Sequence, residues 1–331
     1  MTYQDTVKVH IVTYRRPHLL VRALKSLTKQ TYTSWIAEVI NDDPTDDSVN
    51  QVIKNLNDSR IFLSQPMIHR GGTENFNYAF RAQDTKYACL LEDDNWYQED
   101  FLQCMISALT NFPNIELACA NEIIWKEEPD GSWLNTQKTI WKYDNDFELF
   151  KSNLLDKCGS AKICNSSMFW RTKNSPNWQT PQSIPIDVTE HFRERIIPHP
   201  ILLVKKPLVN YAETIDSYRS SDVSRWGSYQ VLLIGSIFET VYGDMFDMRQ
   251  QLADSLWQKA FTSQKQLYTS LLFTGLVFKE AKILWSMCPL NLKLRFLMTL
   301  VRRPVSSLLI LKSKILQEEA YKFLVNSKNF T

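Results

Sequence analysis

Short apolar runs alternate with amphipathic helical patterns between residues 7 and 91. Strand-like runs cover 7–14, 36–40, 61–63 and 87–91, and helical periodicity covers 19–29, 47–56 and 74–83. This strand–helix–strand order is typical of a mostly parallel sheet with helices on both faces. Ligands bind such sheets at the carboxyl ends of the strands, so the residues that follow each strand are the first candidates for a functional site.

Polar segments follow three of the predicted strands, at 13–17, 41–47 and 92–95, and we expect them to converge on one crevice. The last of them, Glu92-Asp93-Asp94-Asn95, has three acidic residues and no basic residue beside them in the sequence. Three like charges repel each other, and a divalent cation bound to a phosphorylated substrate would relieve the repulsion. A solvated acidic loop is the alternative interpretation.

The composition allows a full hydrophobic core and gives no case for a nucleic-acid partner. The 331 residues are 44% hydrophobic and 12% aromatic, enough for one large domain with an appendage or for two domains. The formal net charge of +2 does not favour binding to nucleic acid. Six widely spaced cysteines without a CxxC pair are typical of free thiols. Because the sequence shows neither a signal-peptide pattern nor a membrane-spanning run, we expect a cytoplasmic protein.

Five segments carry recognisable motifs: the turn at 12–17, the helix end at 24–32, the loop at 41–48, the helical segment at 77–82 and the acidic motif at 92–95. In this order they resemble motifs of the family 2 glycosyltransferases of GT-A fold. The fourth has Ala79 where the family has glycine. The fifth stands where the family has D-x-D-D. The resemblance covers about residues 7–105 and implies an α/β GT-A fold, a mostly parallel sheet flanked by helices.

The resemblance also implies an enzyme, an inverting hexosyl- or related transferase of polysaccharide biosynthesis. Its donor would be a nucleoside-diphosphate sugar, with a UDP-sugar favoured, and its acceptor a glycan or a lipid-linked glycan. Mn²⁺ or Mg²⁺ at the acidic motif would stabilise the diphosphate as it leaves, so no general acid is needed.

The resemblance assigns roles to residues of the first half. Asp94 is the implied metal ligand, and Glu92 is the second candidate although the family usually has aspartate there. Asp43 would accept a hydrogen bond from the base of the donor, and Tyr14 would stack on that base. The arginines among the donor-binding candidates are at turn edges, where solvated arginines are common. The implied donor-binding residues are Thr13, Tyr14, Arg16, Asp43, Arg70, Asn77 and Asp93.

An inverting displacement needs a base that deprotonates the acceptor hydroxyl. In the family this base lies roughly ninety residues after the metal motif, an interval that here ends near residues 184–193. Asp187 and Glu190 both qualify, and their spacing of three places them on one face of a helix. An N-cap role without chemistry is the alternative for this pair, and His191 is a weaker candidate for the base.

The predicted domains are 1–240 and 241–331. The first is the glycosyltransferase domain, with a nucleotide-sugar half at 1–115 and an acceptor half at 116–240, and the second is a helical C-terminal region. Half of the ten tryptophans lie between residues 120 and 180, where they either line an acceptor groove or pack in the core. The stretch 127–139 is interpreted as a hairpin or mobile loop.

Residues 281–317 contain seven basic residues and no acidic residue among many leucines. This pattern is typical of a helix at the surface of an anionic membrane, here the inner face of the cytoplasmic membrane. The alternative is a helical pair that packs on the catalytic domain or on a second subunit of an oligomer.

Two other functions remain open at the level of the sequence. A nucleotidyltransferase shares a related sheet, but the segment 13–17 does not supply its usual glycine- and arginine-rich loop. A non-catalytic member that binds glycan or organises an assembly complex is suggested by Glu92 at the aspartate position. The sequence has no G-x-G-x-x-G after the first strand and no Walker-type loop, which argues against dinucleotide binding and ATP hydrolysis.

Overall fold

The computed structural model describes residues 6–159, 161–215, 223–240, 246–262, 264 and 267–327. The chain forms two compact units. The first unit consists of residues 1–151, 163–179 and 198–217, and the second of residues 152–162, 180–197 and 218–331.

One mixed sheet organises the first unit, with ten strands in the part of the chain that the structure describes. The strands are β1 (Val7–Thr13), β2 (Trp35–Asn41), β3 (Ile61–Ser64), β4 (Tyr87–Glu92), β5 (Trp96–Tyr97), β6 (Leu117–Glu127), β7 (Trp133–Thr139), β8 (Phe147–Phe150), β9 (Met168–Arg171) and β10 (Ile201–Glu213). Their order is β3-β2-β1-β4-β9-β6-β10-β5, with β7 beside β6 and β8 beside β10. The predicted α/β class is confirmed.

The first four strands are parallel, as predicted, and their side chains explain why. Val9 and Ile11 of β1, Val39 of β2 and Leu91 of β4 are fully buried. Parallel strands that are covered on both faces need such near-continuous apolar runs. In the second half of the sheet β6 and β10 are parallel, whereas β5, β7, β8 and β9 pair antiparallel with their neighbours.

Helices cover the sheet of the first unit. They are α1 (Pro17–Thr28), α2 (Ser48–Leu56), α3 (Gly72–Ala79) and α4 (Phe101–Asn111). Helix α1 begins at Pro17, since the fixed φ of proline suits the first helical position. Its side chains Leu20, Leu24 and Leu27 are fully buried, which leaves the opposite face of α1 to solvent.

The second unit is helical in its described residues. Its helices are α5 (Thr189–Arg193), α6 (Val223–Thr240), α7 (Phe246–Thr262), α8 (Leu267–Val277), α9 (Lys282–Met287), α10 (Leu290–Arg302), α11 (Pro304–Leu311), α12 (Ser313–Leu316) and α13 (Glu318–Asn326). Gly235 of α6 allows close packing, because a Cβ there would lie 2.2 Å from the ring of Phe278. None of the described helices has the length and apolar character needed to cross a membrane.

The division into units differs from the predicted domains 1–240 and 241–331. Cys158, Ile184 and Phe192 belong to the same hydrophobic core as Leu232 of α6 and Leu271 of α8. Segments that precede residue 240 are therefore part of the helical unit. None of the six cysteines forms a disulfide.

Candidate active site

The turns after β1, β2 and β4 lie side by side at one edge of the sheet. The strand register places Thr13 opposite Asn41, and Val12 opposite Glu92. The polar segments that follow these strands therefore meet within the first unit, and hydrogen bonds between their side chains join them.

The acidic motif has a basic partner that is remote in the sequence. Arg16 binds both oxygens of Asp93 and donates from Nη1 to Oδ2 of Asp94 at 3.0 Å. Thr13 Oγ1 donates to Oδ2 of Asp93 at 2.7 Å. Although no basic residue lies beside the motif in the sequence, the fold brings Arg16 to it, and Arg16 relieves the repulsion between the two aspartates. The fold places Arg16, predicted as a donor ligand, on these carboxylates.

Asp93 is fully buried, and its charge depends on Arg16. Burial raises the pKa of Asp93 to about 7 against the opposing effect of Arg16, and the carboxylate of Asp94 adds to the rise. Burial lowers the pKa of Arg16, but the charges of Asp93 and Asp94 outweigh this and raise it above its ordinary value. The arginine thus stays cationic beside the motif.

The carboxylates of Asp94 and Glu92 differ in the hydrogen bonds that they accept within the protein. Glu92 Oε2 accepts hydrogen bonds from Ser166 Oγ at 2.9 Å and from Asn95 Nδ2 at 3.2 Å. Asp94 is half-buried, and among the described residues its Oδ1 has no hydrogen-bond partner. Asp94 is therefore the more available of the two predicted metal ligands.

The residues present fit a metal that arrives with its substrate. In the described part of the chain, no group of three or more histidine, cysteine, aspartate or glutamate side chains could hold a metal ion. Mg²⁺ is nevertheless usually bound through one or two carboxylates together with phosphates of the substrate, rather than by a cage of protein ligands. Asp94 alone can meet that need if a diphosphate supplies further oxygens.

Asp43 forms a second corner of the crevice and is nearly buried. Its Oδ1 accepts hydrogen bonds from Thr45 Oγ1 at 2.7 Å and from Thr45 N at 3.0 Å, while Arg15 Nε donates to Oδ2 at 2.6 Å. The bonds from Thr45, and then from Arg15, lower the pKa of Asp43 to about 2. Asp43 is a constant anion, and a base edge that binds Oδ2 would share this oxygen with the exposed side chain of Arg15 or displace it.

Tyr14 lies between two side chains at the mouth of the crevice. Its ring centroid is 4.8 Å from that of His69, and the guanidinium of Arg15 lies 4.9 Å from the Tyr14 ring centroid. A stacking role for Tyr14 on a base would therefore replace one of these contacts. His69 was not among the predicted site residues.

Asp42 is a second residue that the sequence reasoning missed. Its carboxylate is buried and accepts hydrogen bonds from the backbone N–H groups of Arg70 at 2.8 Å and Gly71 at 2.9 Å. Its Oδ2 also lies 2.9 Å from His69 Nδ1. Gly71 has a φ of 87°, a left-handed conformation that glycine adopts without strain. Asp42 thus fixes the loop that carries Arg70, and its position directly after β2 was the available signal.

The last two predicted donor-binding residues lie near this loop. The guanidinium of Arg70 is 5.5 Å from the ring centroid of Tyr78. Asn77 is buried on α3, the helix that begins just after Gly71.

The two candidate bases belong to the second unit. Asp187 is exposed in a 3-10 turn, and Glu190 is half-buried in the first turn of α5. Burial lowers the pKa of Arg193 to about 10, against the opposing charge of Glu190. Burial, with a contribution from Arg195, lowers the pKa of His191 to about 4, so this side chain is neutral at pH 7. The roles of Asp187 and Glu190 stay predictions.

Comparisons with known proteins give the same family over the first half of the chain. Residues 8–172 match glycosyl transferase family 2. WfgD of Escherichia coli, named UDP-Glc:alpha-D-GlcNAc-diphosphoundecaprenol beta-1,3-glucosyltransferase, is 26% identical over 154 residues, 46% of this chain and 56% of that protein. WcaA of Escherichia coli strain K12, provisionally named a colanic acid biosynthesis glycosyl transferase, is 24% identical over 129 residues, 39% of this chain and 46% of that protein. The chain therefore spans about half the length of the curated relatives it matches.

A solved structure shares the fold over almost the whole chain. Residues 1–349 of TarS from S. aureus, in complex with UDP, align with a TM-score of 0.59 at 13% identity, covering 97% of this chain and 90% of that one. At this level of identity the likeness concerns the fold alone. The family match therefore assigns residues 8–172 to glycosyl transferase family 2, and the likeness to TarS shows the GT-A fold.

Proposed function

We propose that the protein is an inverting glycosyltransferase that moves a sugar from a nucleoside-diphosphate donor to a glycan or lipid-linked glycan in polysaccharide biosynthesis. The observation that carries the proposal is the crevice of a family 2 domain in which Arg16 joins Asp93 and Asp94, and in which Asp43 follows the neighbouring strand β2. The available carboxylate of Asp94 suits a metal ion, the cation of Arg16 suits a diphosphate, and the ionised Asp43 suits the base of the donor.

A UDP-sugar is the favoured donor. The name of the relative WfgD specifies UDP-Glc, and the TarS structure contains UDP. Asp43 would accept the N–H of a uracil ring, since its carboxylate stays ionised. Thr13, Tyr14, Arg70 and Asn77 would surround the nucleoside and phosphates.

Asp94 would hold Mn²⁺ or Mg²⁺ together with the donor diphosphate, and Glu92 would position the acidic turn through Ser166 and Asn95. A bound metal ion would supply positive charge to the diphosphate as the bond to the sugar breaks. Arg16 would keep Asp93 ionised and could contact the same phosphate oxygens.

Asp187 or Glu190 would take the proton of the acceptor hydroxyl as it attacks the anomeric carbon. Asp187 is exposed and therefore available to an acceptor. Glu190 interacts electrostatically with the buried cation of Arg193. We keep both as candidates for the base.

The C-terminal helices suggest that the enzyme works at the inner face of the cytoplasmic membrane. Exposed apolar side chains are concentrated in residues 290–316, where Val301 is 80%, Ile315 76% and Val305 72% exposed. Large exposed apolar patches mark binding surfaces, and the basic residues of 281–317 would add attraction to anionic lipid. The exposed apolar residues are Leu290, Leu294, Leu297, Met298, Val301, Val305, Leu308, Leu309, Leu311, Ile315 and Leu316.

Donor turnover tests the function directly. Hydrolysis or transfer is measured with UDP-, GDP- and CDP-sugars and Mn²⁺, and we expect a UDP-sugar to be the best donor. Asp94→Asn should lower kcat/KM about 100-fold through loss of transition-state charge stabilisation. The matched control Asp84→Asn changes an exposed aspartate of the same unit and should leave kcat/KM unchanged.

The variants Asp187→Asn and Glu190→Gln test the base. Loss of a general base typically lowers kcat about 100-fold or more, and only the true base should show this loss. Normal turnover in both variants would exclude both residues. Donor binding without any turnover in the wild type would instead support the non-catalytic alternative.

A further inference from the structure

One face of α1 carries a stripe of basic side chains beside an open groove of the first unit. His18, Arg22, Lys25 and Lys29 recur at spacings of four, three and four residues, which places them on one side of the helix. The stripe extends over about 16 Å at a rise of 1.5 Å per residue. The groove has a volume of about 510 Å³ and is also lined by Trp96, Trp125 and Asn210.

Hydrogen bonds fix the aromatic wall of this groove. Asn210 is 2% exposed, and its Oδ1 accepts hydrogen bonds from Trp125 Nε1 at 2.8 Å and Gln98 Nε2 at 3.2 Å. Its Nδ2 donates to the carbonyl of Trp96 at 3.1 Å. The buried amide holds the indole of Trp125 and the backbone of Trp96, and the centroids of the two half-buried rings are 5.2 Å apart, so the rings form a preorganised platform.

Arg22 connects the groove with the acidic motif. Its guanidinium lies 3.7 Å from the ring centroid of Trp96 and 3.9 Å from that of Trp133, and Nη2 donates to the carbonyl of Asp94 at 2.7 Å. Its buried Nε has no hydrogen-bond partner in the described part of the chain. The groove therefore begins at the turn that the proposed function assigns to the donor and continues along α1.

The two exposed lysines of the groove are the charges that an anionic ligand can reach. Lys25 and Lys29 are exposed, and neither forms an ion pair with any described residue. Glu99 is the one acidic side chain among the residues that line the groove. Surface lysines alone would be unremarkable, but here they face a fixed platform of two tryptophans.

We propose that this groove binds an anionic saccharide, with a sugar ring on Trp96 and Trp125 and a phosphate or carboxylate of the saccharide on Lys25 and Lys29. Indole rings pack against the C–H faces of sugars, and ammonium groups supply charge-assisted hydrogen bonds to anions. That the bound saccharide serves as the acceptor rests on the proposed function. The binding itself needs neither donor nor turnover.

Binding is measured with the full chain by the ¹⁵N–¹H NMR shifts of the tryptophan indoles, without donor. The probes are tetragalacturonate, neutral maltotetraose, inorganic phosphate and oligothymidylate. We expect tetragalacturonate to bind about tenfold tighter than either maltotetraose or phosphate, because the platform and the charges act together. We also expect it to bind more tightly than oligothymidylate.

The double variant Lys25→Gln/Lys29→Gln should weaken tetragalacturonate about tenfold and leave maltotetraose unchanged. Trp125→Leu should weaken both saccharides. The matched control Lys54→Gln removes an exposed lysine of α2 and should change neither. Equal binding of maltotetraose, or equal or tighter binding of phosphate or oligothymidylate, would overturn the proposal. A wild type that binds tetragalacturonate but turns over no donor would count against the proposed function alone.

Discussion

At the scale of single residues, the contact that defines the crevice was hidden from sequence reasoning. The acidic motif was found because three carboxylates follow a strand, but its partner Arg16 lies 77 and 78 positions away from Asp93 and Asp94. A sequence pattern shows neighbours along the chain, whereas this pairing depends on two strands lying side by side. The same reason explains why His69, which contacts Asp42 and Tyr14 from a remote position in the sequence, was missed.

Arg16→Gln should destabilise the protein by roughly 2 kcal/mol or more, because it leaves the buried carboxylate of Asp93 without its counter-ion. Urea unfolding measures the change. Arg15→Gln is the matched control, since Arg15 pairs with Asp43 from an exposed position, and we expect a loss below about 1 kcal/mol. Equal losses in the two variants would show that the buried ion pair contributes no more to the free energy of unfolding than the exposed one.

His10 makes the stability depend on pH. Burial lowers the pKa of His10 to about 4, although Gln83 and Glu38 oppose this effect and Lys8 adds to it. In the unfolded chain His10 is protonated near pH 6.5, whereas in the folded chain it stays neutral down to about pH 4. The free energy of unfolding therefore falls as the pH falls from 6.5 towards 4.

Between pH 7 and pH 5 the contribution of His10 to this fall is about 2 kcal/mol. His10→Gln should remove it, as measured by urea unfolding at both pH values. The same pH dependence in the variant and the wild type would show that His10 is protonated as easily in the folded as in the unfolded chain.

At the scale of helices and strands, hydrophobic periodicity predicted the bounds of elements that bury one regular face. Helix α1 was expected from residue 19 and begins at Pro17, and β1, β2 and β4 lie within a residue or two of their predicted bounds. The allocation of 152–162 and 180–197 to the helical unit was not predicted. These short segments lack a periodic pattern, and tertiary contacts such as those of Phe192 decide where they pack.

Gly235→Ala should destabilise the helical unit by about 1–3 kcal/mol, because the new Cβ would overlap the buried ring of Phe278. Gly227→Ala is the matched control in the same helix. Its Cβ would meet the flexible end of Ile310 at 3.0 Å, so we expect a smaller loss. Thermal unfolding compares the two, and a larger loss for Gly227→Ala would contradict the packing described for α6.

Asp42→Asn should loosen the loop of residues 69–71. Asparagine has one acceptor oxygen where the carboxylate uses two, so one of the N–H groups of Arg70 and Gly71 loses its partner. We expect a loss of about 1–3 kcal/mol and faster amide hydrogen exchange in residues 69–71. Unchanged exchange would mean that the loop holds its shape without Asp42.

At the scale of the whole molecule, charge and apolar surface are unevenly distributed. The net charge of +2 conceals a segment, 281–317, with seven basic residues and no acidic residue. Exposed large apolar side chains are concentrated in the same segment. The composition of this segment is visible in the sequence, but only the structure shows which leucines and valines of the segment are exposed to solvent.

The triple variant Val301→Ser/Val305→Ser/Ile315→Ser should lose most binding to vesicles with anionic lipid and keep its Tm, because the three side chains are exposed. Co-sedimentation at low salt measures the binding, and the wild type should lose it as salt is added. Met67→Ser/Ile68→Ser/Leu149→Ser is the matched control with three exposed apolar residues of the first unit. Wild-type protein that does not sediment with these vesicles would refute the membrane contact.

The pairing of Arg16 with Asp93 and Asp94 also has a consequence for the order in which ligands associate. A free divalent cation would meet a motif that already contains its own cation, so binding of the metal alone is an exchange of one positive charge for another and gains little. A diphosphate changes this balance, because it offers a new anion to Arg16 and further oxygens to the metal. We therefore expect metal and nucleotide to bind together. The free protein should have a low affinity for Mg²⁺ until a donor is bound.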